Sequence, residues 1–217
     1  LWTLMDLQGR GTLTEPTLGP YRVEGEVAYD LEGRADVTRL EAYAADSEVL
    51  VEGSVDVGEA ITVDLTVDAT ADLDGLEIMT GDVGLKGRPN AELGIKGPLE
   101  EMVVSGRVLT GTGSAGVDVV VGVAEDITYR GTLTPSGLEL MDLVDAVTEP
   151  TTLNGALELD GSGVVWPDDI TATGSVLLSE SVGWGYAVPE AEATWELERG
   201  VITLTGFRYT ADWCEVI

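Results

Sequence analysis

The sequence predicts an all-β fold: an elongated, curved β-sheet groove or roll of stacked, mostly antiparallel strands, with one short helix near residues 140–148. Three observations predict it. Short runs alternate apolar and polar residues again and again, glycine recurs inside and between those runs, and the apolar content is mainly Val, Leu, Ala and Ile, with a single Phe. Alternation with a period of two puts successive side chains on opposite faces of a strand, and β-branched residues suit pleated sheets.

The elements follow in order. The first clear run has Tyr21, Val23, Val27, Tyr29 and Leu31 on its apolar side; the next has Val49, Val51, Val55 and Val57. The cleanest is Ile61 to Asp68, where Ile61, Val63, Leu65 and Val67 point one way and Thr62, Asp64, Thr66 and Asp68 the other. Val117, Val119, Val121 and Val123 repeat the pattern. After the helical interruption, strands are expected at Ala156 to Leu159, Ile170 to Leu178, Ala191 to Leu197 and Val201 to Tyr209. Four of the five tryptophans lie at or after position 166, which suggests a thicker core or a distinct module from about Thr151.

Glycines divide the chain into loosely similar modules. The string GRGTLTEPTLGPYRVEGEV (Gly9 to Val27) has a counterpart in LGIKGPLEEMVVSGRV (Leu93 to Val108), with a fainter echo from Tyr129 to Leu140. Such degenerate repeats mark stacked β-units that bury apolar faces only against neighbours. Gly25, Gly53, Gly106 and Gly174 fall within strands, where they weaken pairing but permit a sharp bend. The glycines of PTLGP and GRPN read as turn residues. The chain divides into a repetitive β-groove segment, 1–137, and a helix-capped segment, 138–217, that continues the same groove.

The interruption is GLELMDLVDAVTEPT, in which Leu140, Leu143, Val144 and Val147 fall at helical spacing and Pro150 closes the run. A short amphipathic helix over Leu140 to Thr148 is expected to cap the end of the sheet roll.

Charge and composition exclude several functions. Forty acidic residues against eleven basic ones give a formal charge of −29, a field that repels nucleic acid and anionic headgroups. Acid on the outward face keeps a sheet soluble and blunts edge pairing, and near-absence of lysine suits a saline surface. No histidine occurs, which removes the commonest general base and metal ligand together, and Cys214 has no partner for an internal disulfide.

The glycine-flanked Ser114 and Ser162 lack a nucleophile elbow, no carboxylate pair stands out for glycoside chemistry, and Thr110 to Gly116 lacks the Lys-Ser/Thr of a phosphate loop and reads as a turn. ADLDG and WPDDI cluster carboxylates without the ligand spacing of a dedicated calcium site. No catalysis, cofactor or dedicated metal site is expected. No apolar run is long enough to span a bilayer as a helix. Leu1 is not an initiator methionine and the pattern is already under way at Leu4 and Leu7, so the chain reads as a piece of a longer protein.

A short helix containing LMDLV, then LNGALELDGSG, then DDITATGSVLLSES resembles the hallmark region of AsmA-like proteins. DLDGL (Asp72 to Leu76), leading into GLKGRPNAELGIKGPLEEMVVSGRV, resembles the repeats of TamB-like proteins in the same superfamily. The resemblance covers most of the chain, through patterns of glycine and aliphatic residues. It implies a U-shaped apolar β-groove, often described as a β-taco, in a periplasmic protein anchored in the bacterial inner membrane. It also implies a passive conduit or scaffold for phospholipid moving toward the outer membrane, with an outer-membrane β-barrel or an inner-membrane partner reached through other regions. The strong acidity departs from that pattern.

Residues expected to line the trough are Val23, Val27, Val49, Val51, Ile61, Val63, Leu65, Val67, Val117, Val119 and Val121, with phospholipid acyl chains as ligand. The same side chains could instead close on each other in a dry core. Strands recurring about every 13 to 14 residues and stacking at about 4.8 Å would extend on the order of 75 Å. The alternative is an acidic extracellular structural or adhesive protein, a β-solenoid or sandwich with no lipid channel.

Overall fold

The computed structural model describes residues 5–15, 19–30, 33–44, 46–74, 84–124, 126–163, 169–211 and 214–216. Leu4, the corner at Pro16 to Leu18, Leu31, Gly75 and Leu76 of DLDGL, and Trp166 to Asp168 of WPDDI lie outside the described residues.

Among the described residues sixteen strands follow one another: β1 (Met5–Glu15), β2 (Gly19–Tyr29), β3 (Arg34–Ala44), β4 (Ser47–Val57), β5 (Ile61–Thr70), β6 (Asn90–Pro98), β7 (Met102–Leu109), β8 (Ser114–Val123), β9 (Ile127–Ser136), β10 (Leu138–Glu139), β11 (Thr152–Leu153), β12 (Gly155–Ser162), β13 (Thr171–Gly183), β14 (Tyr186–Glu198), β15 (Val201–Ala211) and β16 (Cys214–Val216). Fourteen form one open antiparallel meander in which each strand pairs with its neighbour along the chain. The short ribbon of β10 and β11 is an excursion between β9 and β12, which pair directly with each other. The sheet therefore runs on without a break past residue 137. It is neither a parallel-stacked solenoid nor a two-sheet sandwich.

Fourteen strands leave thirteen spacings, so the sheet extends about 60 Å in the stacking direction. That is shorter than strand recurrence predicts, because residues 71–74, 84–89 and 137–154 add no strand to the main sheet. The chain exposes 13438 Å², whereas a compact protein of 22.8 kDa would expose about 9,600 Å². A single layer explains the excess. Among the described residues no large side chain is fully buried, and the buried apolar positions are Ala172, Ala191 and Ala193, all in β13 and β14. The tryptophan-rich end thus holds what dry packing there is, within the same sheet.

Bulges interrupt the pairing of β2 with β3, β3 with β4, and β14 with β15, and each increases local twist and bend. Toward the last edge, β15 pairs with β16 only from Tyr209 to Ala211, and Val201, Ile202 and Leu204 stay exposed.

The expected helix does not form. Leu140–Asp142 is a single 3-10 turn, Leu143 leaves helical geometry, and Val144 makes an isolated β-bridge with Leu85. Nine residues are marginal for a helix in any case. Here the backbone groups find better partners across the fold: Lys86 N donates to Leu143 O at 2.9 Å and Asp145 N to Gly84 O at 2.7 Å. Leu140, Leu143, Val144 and Val147 are half-buried in this turn segment and not on a helical stripe.

Candidate functional site

Register turns the alternation of single strands into continuous rows. One row passes laterally through Val27, Val37, Gly53, Leu65, Ile95 and Val104. It continues through Val119, Gly131, Leu159, Gly174 and Trp195 to Leu204, crossing twelve strands. The adjacent row runs from Gly25 and Leu40 through Val51, Val67 and Leu93 to Gly106, Val117 and Leu133, and ends through Leu157, Val176 and Ala193. No charged residue enters either row. A one-residue slip anywhere would move a strand's apolar set to the other face, so the bulge in β3 at Thr38 and Arg39 is what keeps Val37 and Leu40 on the same side.

All eleven residues expected to line a trough lie on this face. Ten are half-buried, and Ile61, at the rim, is 38% exposed. None is sealed. The wall is covered laterally by its neighbours in the sheet, and among the described residues no second layer lies over it.

Five glycines fall in the two central rows: Gly25, Gly53, Gly106, Gly131 and Gly174. The positions where a strand can bend are therefore aligned along the length of the sheet. At Gly53 the backbone has φ of 135°, and a Cβ would sit 2.1 Å from Asp64 O; at Gly106 φ is 150°, and a Cβ would sit 2.1 Å from Glu92 O. Only glycine fits both the conformation and the space. Large side chains cover other glycines: Leu40 lies over Gly25, Trp195 over Gly174, and the Tyr129 ring over Gly161. Covering a strand glycine with a cross-strand ring restores the packing that the missing side chain gives up. Tyr129 Oη donates to Ser162 O at 3.3 Å, and burial, helped by Asp169, pushes its phenol above the ordinary value.

The reverse face carries the charge; Glu24 faces Glu41 and Asp68 faces Glu92, but elsewhere acids are interleaved with neutral or basic partners. Asp64 lies between Ser54 and Lys96, Asp118 between Ser105 and Thr132, and Glu158 between Thr132 and Ser175. Basic residues are placed opposite acids: Lys96 Nζ is 3.0 Å from Asp64, Arg107 2.7 Å from Glu92, and Arg208 2.5 Å from Glu192. In β3, Arg39 pairs with Glu41 and holds that carboxyl below its usual range by a hydrogen bond. Across from Glu41's neighbour, Arg22 stacks 4.5 Å from the Tyr43 ring.

One rim of the wall is tied together by loop segments that the sequence pattern does not reveal. Asp72 N donates to Ser47 Oγ, Arg88 to Asp46 O, and Thr112 Oγ1 to Asp142. Lys86 pairs with Asp145 at 3.2 Å. Glu139 accepts from Thr151 N at 2.7 Å and Thr152 Oγ1 at 2.9 Å, chiefly the first of which lowers its pKa. Asn154 reaches Glu180 O, and Trp184 N donates to Thr151 Oγ1. These bonds form a strap along the hairpin ends from β3 to β14.

Among the described residues no group of three or more His, Cys, Asp or Glu is placed to hold a metal ion, and no helix is long and apolar enough to cross a membrane. Ser114 and Ser162 are ordinary strand residues, and Thr110 to Gly113 is a turn closed by Thr110 N on Gly113 O at 2.8 Å. Comparison with family models, with curated proteins and with solved structures finds no match to this chain.

Proposed function

We propose that this chain is a groove segment of a passive phospholipid conduit or scaffold in a bacterial envelope, of the AsmA-like and TamB-like kind, working in the periplasm between two membranes. The observation that carries the reading is the pair of uncharged rows crossing at least eleven strands on one face of a single-layer sheet, with no large side chain among the described residues fully buried against them. Moving a sixteen-carbon chain through water costs on the order of 12 kcal/mol at about 0.8 kcal/mol per methylene. A wall about 50 Å long exceeds the reach of one acyl chain, about half of a 30 Å bilayer core. It can therefore shelter the chain throughout its passage. Such a device binds by shape and apolar area, and needs no fixed polar site or chemistry.

The test is lipid capture. A photo-crosslinking residue at Leu65 is expected to label phospholipid, whereas the same residue at Thr66, on the acidic face, is not. Leu65→Asp and Val119→Asp are each expected to lower co-purifying lipid several-fold. Equal labelling at both positions, or no lipid at all, would favour the acidic structural or adhesive scaffold.

A further inference from the structure

The hairpin of β13 and β14 is the longest in the sheet, thirteen residues a side. β12 pairs with β13 only as far as Leu178, and β15 pairs with β14 only as far as Glu190. The tip beyond them projects about 15 Å past its neighbours' pairing. It ends in a two-residue turn: Gly183 pairs with Tyr186, and Trp184 and Gly185 between them have φ of 50° and 78°. Such turns favour Asn, Asp or Gly, and a bulky side chain at positive φ is disfavoured. The β14–β15 turn uses the same conformation with Arg199 and Gly200. At the longer tip the residue is tryptophan, 68% exposed, followed by Tyr186, 77% exposed.

The surroundings are also unusual for this chain. From Ser181 to Pro189 there is no charged residue, although the chain carries −29 overall, and Glu180 and Glu190 flank the tip as exposed carboxylates. The turn is braced from one side, with Gly185 N donating to Pro150 O at 2.9 Å and Trp184 N to Thr151 Oγ1 at 3.3 Å. A rigid, uncharged tip bearing Trp and Tyr suits a membrane interface, where the rings lie among headgroups and their N–H and O–H stay hydrated.

We propose that the Trp184–Tyr186 tip docks the protein on a zwitterionic phospholipid surface, entering as far as the two flanking glutamates. The field of the remaining acids sets the partner, since it repels anionic membranes and leaves neutral headgroups as the surface that fits. This deepens the conduit reading and rests on it, by placing on the rim, near the last strands, the point that meets a bilayer.

The experiment is vesicle flotation with phosphatidylcholine vesicles, run alongside lipid co-purification. The double variant Trp184→Asn with Tyr186→Thr keeps residues suited to the turn and strand, and circular dichroism checks its fold. Wild type is expected to float, and the double variant to bind about tenfold less or weaker, as loss of two apolar side chains implies. Brominated phosphatidylcholine is expected to quench wild-type tryptophan fluorescence but not that of the variant. Equal flotation of both proteins overturns the proposal, as does a wild type that floats only on anionic vesicles. It is also overturned if the tip aromatics are buried in a dimer by size-exclusion chromatography. The double variant is expected to retain co-purifying lipid. If wild type lacks lipid yet still floats, the conduit reading fails and the docking tip stands.

Discussion

Gly53 in β4 and Gly106 in β7 lie three strands apart in adjacent rows, and at each an added Cβ would overlap the neighbouring backbone. Gly53→Ala and Gly106→Ala are each expected to destabilise by about 2–3 kcal/mol in denaturant unfolding, from positive φ together with backbone overlap. Gly94→Ala meets nothing closer than 3.8 Å and is expected to be neutral or stabilising by up to about 1 kcal/mol. Comparable losses at all three sites would refute the bend-line account. Gly25, Gly53, Gly106 and Gly174 are legible in the sequence as bends because each interrupts an alternating run. Gly131 escapes notice, since its crowding against Asp118 O at 2.2 Å depends on which strand lies beside it.

Among the elements, the segment after β9 shows where periodicity misleads. Leu140, Leu143, Val144 and Val147 have helical spacing, yet Gly84 and Lys86, more than fifty residues away, take the backbone bonds a helix would need. Local pattern cannot register such a competitor. Strand positions from Val49 to Val67 and Val117 to Val123 were legible because each carries its own two-faced code, and their common face follows once pairing is sequential.

The strap that replaces the helix is sensitive to acid. Glu139 has a depressed folded pKa, so its contribution is complete above the ordinary carboxylate value of about 4.3 and is lost as pH falls through the lower folded value. Hydrogen exchange at the Thr151 amide is expected to accelerate over that window after correction for intrinsic rates. Glu139→Gln should remove most of the dependence while leaving the main sheet folded. An unchanged profile in that variant would show that another group controls the strap.

At the scale of the molecule, a formal charge of −29 sits on a layer one strand thick. Exposed pairs such as Lys96 with Asp64 contribute about 0–1 kcal/mol each, too little to offset the excess acid. Screening should therefore stabilise the fold. Raising ionic strength from about 0.01 M to about 0.15 M shortens the Debye length from about 30 Å to about 8 Å, and the melting temperature is expected to rise. A fall would mean that the cross-strand pairs outweigh the net repulsion. The all-β class, the open two-faced sheet and the shared side of the eleven wall residues were readable from composition and alternation. The strap and the 60 Å extent were not, because each depends on residues that leave the main sheet, and neither was the projecting hairpin, because its overhang depends on where the neighbouring strands stop pairing.

Sequential pairing has a consequence for how such a wall could change in size. Each strand of the main sheet depends on the strands beside it, so a hairpin inserted or deleted in register alters length while leaving the cross-section as it was. Extent becomes a matter of counting, about 10 Å for every hairpin. A ruler of this kind can be fitted to a wider or narrower gap by duplication alone, with no redesign of a core.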